Sequence, residues 1–241
     1  MDKGANISIV GELSINEWQG KRTPQLIIDD LGIDGSQWID YRSSTIHPNL
    51  FKLEDALYAF SHKKISEFML ANQLNGKEAC LYSNIQYNEL SKYKQLVIME
   101  PPIDLTDLKV VIKSQAWETI YLGSFVHESK FLAGLPSRQD FVALYKNVYR
   151  LAPFNYRKMF PKLSKSLDFH PVKLKAMFMM FLEAEFVTIE NGWLDFNKQS
   201  MDNKIDLTEL KTFNQYQNEY HSEALLNYQP LDKVQEYFEG K

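Results

Sequence analysis

The chain has one cysteine in 241 residues, Cys80, which excludes an internal disulfide framework. It has no apolar run approaching the roughly 18–20 residues that cross a bilayer. Its first residues, Met1 to Asn6, have no apolar core of the kind a signal peptide carries. Glycine is scarce, at 10 residues, and no Walker loop is formed from it, so that means of cradling a nucleotide phosphate is missing. The five histidines (His47, His62, His127, His170, His221) are scattered, with no pair at metal-ligand spacing. There is no Ser–His–Asp arrangement, no Cys-x-x-Cys, no internal repeat and no low-complexity tract. Together these absences suit a protein of the reducing cytosol with no membrane contact. They read Cys80 as core packing and each histidine as a surface or hydrogen-bonded residue.

What is present is ordinary for a soluble globular chain: 44% apolar and 24% charged residues. The length allows one large domain or two small ones. Net charge is −4, but it is unevenly spread. Between Arg150 and Lys175 lie seven cations and one anion, Asp168, a net +6 that leaves −10 for the remainder. Such asymmetry permits a basic face on an acidic body, or simply a solvated lysine face.

Two apolar strands open the chain, Ile7–Leu13 and Gln25–Asp29, with the polar stretch Asn16–Pro24 read as the turn between them. A lone hairpin is marginal in water. These strands therefore want partners, and residues 1–33 read as the tail of a domain whose beginning lies in a longer polypeptide. Gly32, Asp34, Gly35 and Ser36 mark a first boundary.

Residues 37–127 alternate strand and helix signals. The strands are Trp38–Tyr41, Leu57–Phe60, Ala79–Tyr82, Leu96–Met99 and Thr119–Leu122, short apolar runs of the kind buried on both faces. Helical patterns lie at Ile65–Gln73, at Asp104–Ser114 with Asp104 as cap, and briefly at Tyr87–Leu90. Alternation with short links predicts a mainly parallel sheet of about five strands.

From Pro136 the pattern changes. Ser137 caps a helix carrying Phe141, Leu144, Tyr145 and Val148 and ending near Ala152-Pro153. Asn155 caps a second, Tyr156–Leu167, interrupted or restarted at Pro161. Asp168 caps a third, with Pro171 in its first turn and an apolar stripe of Leu174, Met177, Phe178, Phe181 and Leu182. Asn191-Gly192 between Phe186–Glu190 and Trp193–Phe196 is a hairpin signal. Three helices followed by a hairpin is the winged-helix order. The tail from Leu207 to Phe238 is helical in pattern with a break at Pro230, and Tyr216, Tyr220, Leu225, Leu226 and Tyr228 are available for packing.

The run Val10 to Asp30, "VGELSINEWQGKRTPQLIIDD", resembles the last strands of the oligonucleotide-binding (OB) domain of RecJ, the bacterial single-strand-specific DNA exonuclease family. Trp38 to Arg42, Leu96 to Pro102 and the Phe186–Gly192 run resemble the C-terminal region of that family in Gram-positive bacteria. The patterns and the resemblance together predict an α/β fold in four parts: 1–35 the end of an OB fold, as the resemblance implies, then 36–135 a mainly parallel α/β domain, 136–205 a winged-helix-like α+β domain, and 206–241 a helical tail. The resemblance also implies a role in DNA repair and recombination within a cytoplasmic hydrolase. The family uses clustered Asp and His to hold two Mn or Mg ions that activate water. This chain has no Asp-His-His, so no catalytic residue, metal ligand or cofactor carries over, and the fragment is expected not to cleave DNA alone.

Two constellations suit nucleic acid, the first as an OB surface holds single-stranded DNA and the second as a winged helix meets a duplex backbone. Trp18 with Lys21 and Arg22 could stack and neutralise as OB surfaces do, or be an ordinary turn. Arg157, Lys158, Lys162 and Lys165 on the second helix, with Lys173 and Lys175 on the third, could meet phosphates without sequence preference. The same lysines could serve a protein-docking role. The resemblance implies single-strand-binding protein as such a partner, its acidic tail steered by charge and anchored by a buried ring. The upstream catalytic domains of the same parent are a further partner. Pro101-Pro102 reads as the end of a strand. Loops at the carboxyl ends of parallel strands, where His127 and Glu128 lie, are the usual ligand positions. A pocket there with converging carboxylates would point instead to a separate catalytic α/β domain.

Overall fold

The computed structural model describes residues 6–85, 87–197 and 206–240. Two long strands, β1 (Asn6–Trp18) and β2 (Lys21–Asp34), form an antiparallel hairpin. A parallel sheet follows: β3 (Gln37–Asp40), β4 (Ala56–Phe60), β5 (Glu78–Leu81), β6 (Gln95–Ile98) and β7 (Thr119–Leu122), in the order β3-β7-β6-β4-β5. Helix α1 (Lys63–Asn72) links β4 to β5, and α2 (Leu105–Lys113) links β6 to β7.

Alternation along the strands explains the layering. Leu57, Ala59, Leu96, Ile98, Ile120 and Leu122 face one side and pack with Leu108, Val111 and Ile112 of α2. Ala56, Tyr58, Phe60, Val97 and Met99 face the other and pack with Met69 of α1 and with Leu50. Both faces are thus buried, as the unbroken apolar runs require. Asp104 caps α2 by accepting from Thr106 N–H at 2.8 Å. The expected helical turn at Tyr87–Leu90 is a 3-10 helix, Tyr87–Lys92.

Short α3 (Lys130–Ala133) leads into α4 (Arg138–Leu151), β8 (Phe154–Asn155), α5 (Tyr156–Leu167), α6 (Pro171–Glu183), β9 (Val187–Glu190) and β10 (Trp193–Phe196). The last three-stranded sheet has the order β8-β10-β9 and is antiparallel. At the start of α4, Ser137 Oγ accepts from Asp140 N–H while Asp140 accepts from Ser137 N–H, a reciprocal cap. Asn191 and Gly192 both take positive φ, 50° and 80°, as a two-residue hairpin demands. The α6 stripe holds: Leu174, Met177, Phe178 and Phe181 are buried with Phe141, Leu144 and Val148.

Two boundary expectations change. Helix α5 runs unbroken through Pro161, whose ring sits on the exposed side where water can reach the carbonyl that loses its partner. Asp168 does not open α6. It closes α5 in the left-handed conformation (φ 55°), which a short polar side chain tolerates. The cap of α6 is His170, whose Nδ1 accepts from Val172 N–H at 3.3 Å. Pro171 occupies the first helical position, so the cap must be the residue immediately before it.

The tail forms α7 (Lys211–Tyr228) and α8 (Leu231–Glu239), broken at Pro230. Phe213 and Tyr216 of α7 join the α4–α6 core. Leu226 of α7 with Val234 and Phe238 of α8 join the core of the parallel sheet. One helix thus ties both bodies together. The boundary expected between residues 205 and 206 adjoins 198–205, which lie outside the described residues. Among the described residues, no helix is long and apolar enough to cross a membrane.

The hairpin is longer than its apolar runs. Asn16, Glu17 and Trp18 pair with Thr23, Arg22 and Lys21, so the turn shrinks from the expected Asn16–Pro24 to Gln19-Gly20. Its register shifts at Val10/Gly11, where β2 carries an extra residue, Asp29. That bulge returns Ile28 and Leu31 to one face, with Ile7, Ile9, Leu13, Ile15 and Leu26. A Cβ at Gly11 would lie 2.2 Å from the Ile27 carbonyl oxygen, so only glycine fits the close approach. The whole face is open to solvent: Leu13 is 80% and Ile15 68% exposed.

Candidate functional site

The structure splits the hairpin trio. Trp18 and Lys21 are directly opposed and share the polar face, with Trp18 74% exposed. Arg22 is opposed to Glu17 on the apolar face, and its Nε lies 3.0 Å from Glu17 Oε2. The tip therefore offers, on one side, one ring and one cation that has no carboxylate partner among the described residues. Its second cation is already paired on the other.

The basic window is split in the same way. On α5, Arg157, Lys158, Lys162 and Lys165 are exposed, and none has a carboxylate partner among the described residues. Lys158, Lys162 and Lys165 follow a four-then-three spacing, which puts them on one helix face. On α6, Lys173 turns inward. Its side chain is 15% exposed, its Nζ lies 3.4 Å from Asp140 Oδ2, and it sits 4.7 Å from the centre of the Phe169 ring. Asp140 lies below the ordinary carboxylate range: burial alone would raise it, but Ser137 and Lys173 outweigh that. Lys175 lies 3.7 Å from Glu128, across on the loop after β7. The open cationic face is therefore α5, with Arg150 exposed at the end of α4.

A third place is one that sequence reasoning approached only through His127 and Glu128. At the carboxyl ends of β4 and β6 lies a crevice of about 190 Å³, lined by His62, Glu100, Phe125, His127, Glu128 and Lys130 among others. Glu100 is buried and accepts from Ser61 N–H at 3.1 Å and His62 N–H at 3.0 Å. Its Oε1 lies 2.9 Å from His62 Nδ1. That hydrogen bond raises the His62 pKa. Burial and Lys130 oppose it, and Glu219 adds to it. Opposite stands α7. Glu219 pairs with Lys130 at 2.8 Å. Glu223 is buried, accepts from Lys130 and Phe131 N–H and from the Ser129 hydroxyl, and so caps α3. Four carboxylates line the crevice, but each is already held by the protein's own donors.

Burial pushes the Cys80 thiol up to about 12, which disfavours the thiolate. Among the described residues no three His, Cys, Asp or Glu side chains converge as metal ligands. The donor set that the family resemblance implies for two divalent cations is not assembled by them.

Residues 37–238 match the family model described as "Single-strand DNA-specific exonuclease, C terminal domain", and the chain belongs to that family. Among curated proteins it is similar to the single-stranded-DNA-specific exonuclease RecJ of Bacillus subtilis (strain 168), 30% identical over 238 residues. The match covers 97% of this chain and 30% of that relative's length, so the chain spans under a third of the protein it resembles. No solved structure matches it.

Proposed function

We propose that this chain is the C-terminal accessory region of a RecJ-type exonuclease acting in DNA repair, and that it holds single-stranded DNA on the exposed face of α5. The observation carrying this reading is the set of four exposed cations on that helix, without carboxylate partners among the described residues, in a member of this family. The order α4-β8-α5-α6-β9-β10, with β8 paired to β10, is that of a winged helix in this reading. The β1–β2 hairpin is the end of an OB fold, and its open apolar face is the surface the preceding strands would cover. Trp18 and Lys21 extend the contact from the hairpin tip by stacking and charge. In this reading the nuclease chemistry is supplied elsewhere in the parent.

The test is a salt titration of oligonucleotide binding by fluorescence anisotropy. Phosphate contacts to single strands give a slope of about −0.7 per contact in log affinity against log salt. Replacing Lys158, Lys162 and Lys165 with alanine should make that slope shallower by about 2. If the chain fails to bind oligonucleotide at low salt yet takes up an acidic single-strand-binding-protein tail peptide, it docks a protein and never touches DNA. Degradation of 5′-labelled single strands by the chain with manganese would overturn the non-catalytic assignment.

A further inference from the structure

The crevice between β4 and β6 is a built site that neither the α5 face nor the hairpin uses. Sheet order reverses there: β4 passes through α1 to β5 on one side, and β6 passes through α2 to β7 on the other. The two connections diverge, and open parallel sheets bind ligands in the opening so formed.

The lining narrows the ligand class. An anion would seek the backbone N–H groups leading into α1, but the buried Glu100 carboxylate already takes those of Ser61 and His62. Lys130 is paired with Glu219, and the Glu223 carboxylate is spent on the start of α3. Among the described residues the Lys130 ammonium and the lining carboxylates are each held by a charged or backbone partner, so none is left over for a phosphate or a cation. What remains is apolar wall from Ile65, Pro102, Ile103 and Phe125, the His127 ring, and the Nε2 edge of His62, which has no protein partner among the described residues. The volume of about 190 Å³ is below the range of drug-sized ligand sites and suits a single flat group.

We propose that this crevice binds one unstacked nucleobase, held between the Pro102 and Phe125 walls and hydrogen-bonded at its edge by His62. A neutral flat ring with polar edges is the part of single-stranded DNA that matches a charge-closed, apolar-walled opening. The proposal takes its ligand from the reading of the chain as a single-strand binder, and it deepens that reading by adding a base contact to the phosphate contacts of α5.

Uncharged deoxynucleosides test the crevice apart from the lysines. The probes are the four deoxynucleosides, deoxyribose 5-phosphate and N-acetyltyrosinamide, followed through the His62 ring signals in an NMR titration of the full chain. The His62→Gln variant assigns those signals. A saturable shift with at least one deoxynucleoside is expected, insensitive to salt and absent with the sugar phosphate. Ile103→Trp should fill the opening and abolish the shift without touching the His62–Glu100 pair. No shift with any deoxynucleoside at millimolar concentration overturns the proposal. So does a shift with N-acetyltyrosinamide alone, which would make this a peptide site, or a nucleoside shift that survives Ile103→Trp. Failure here leaves the salt-dependent binding by α5 standing, and failure of that binding leaves the nucleoside result interpretable.

Discussion

The parallel sheet and the N-terminal hairpin are built from similar residues and meet opposite fates. Leu57, Leu96, Ile98 and Ile120 are sealed between helices of the same chain. Leu13, Ile15, Leu26 and Ile28 have the same chemistry, the same strand geometry and water beside them. The difference lies in the connections. Each central strand of the sheet has two paired neighbours and a helix on each side, supplied within about 90 residues. The hairpin has only itself. Hydrophobicity announces that a face wants cover, and topology decides whether this chain provides it.

That contrast can be broken by mutation. Leu96→Ala deletes a fully buried side chain of β6 and should cost about 2–5 kcal/mol in denaturant unfolding followed by circular dichroism. Glu100→Gln turns one of the two accepting oxygens that tie the ends of β4 and β6 together into an N–H donor, so either the Ser61 and His62 N–H groups or the His62 ring loses its acceptor, and it should cost about 1–3 kcal/mol in the same assay. His62→Gln adds a pH signature. The His62 pKa lies above its ordinary 6.5 because Glu100 accepts from the ring, against burial and Lys130 and with the help of Glu219. A raised value contributes stability that is complete below pH 6.5 and fades as pH rises through the folded-state value. The variant should therefore lose most against the parent below that pH and progressively less above it. Leu13→Ala, the mirror of Leu96→Ala on the hairpin, should cost less than about 0.5 kcal/mol. Comparable losses from the two leucine substitutions would mean that the hairpin face is covered in solution.

The sheet strands were legible because short apolar runs between helix signals leave few alternatives. Reciprocal capping at Ser137 and the Asn191-Gly192 turn were legible because both are local. What escaped was set at a distance or by a single residue. Nothing in the spacing says that β7 lies between β3 and β6, or that Glu100 reaches back 38 residues to His62. Applying the strand-end rule to β4 and β6 as well as β7 would have singled out that pair, but only with the strand order in hand. The hairpin was read too short because its polar third, Asn16–Trp18 with Lys21–Thr23, pairs without an apolar pattern. Lys173 was counted with the basic face because charge counts do not show that Asp140, 33 residues earlier, draws it inward.

The edge strand β3 is closed late. Its neighbour β7 begins some eighty residues further along. Trp38 stacks on Phe238 and donates through its indole N–H to Glu239, 201 residues away. At about 5–20 residues per second, a ribosome takes roughly 10–40 s to make that stretch. During synthesis Trp38 therefore waits without its final cover, and a chaperone meeting the nascent chain would find that face of β3 open until α8 emerges, even after β7 has paired with the strand.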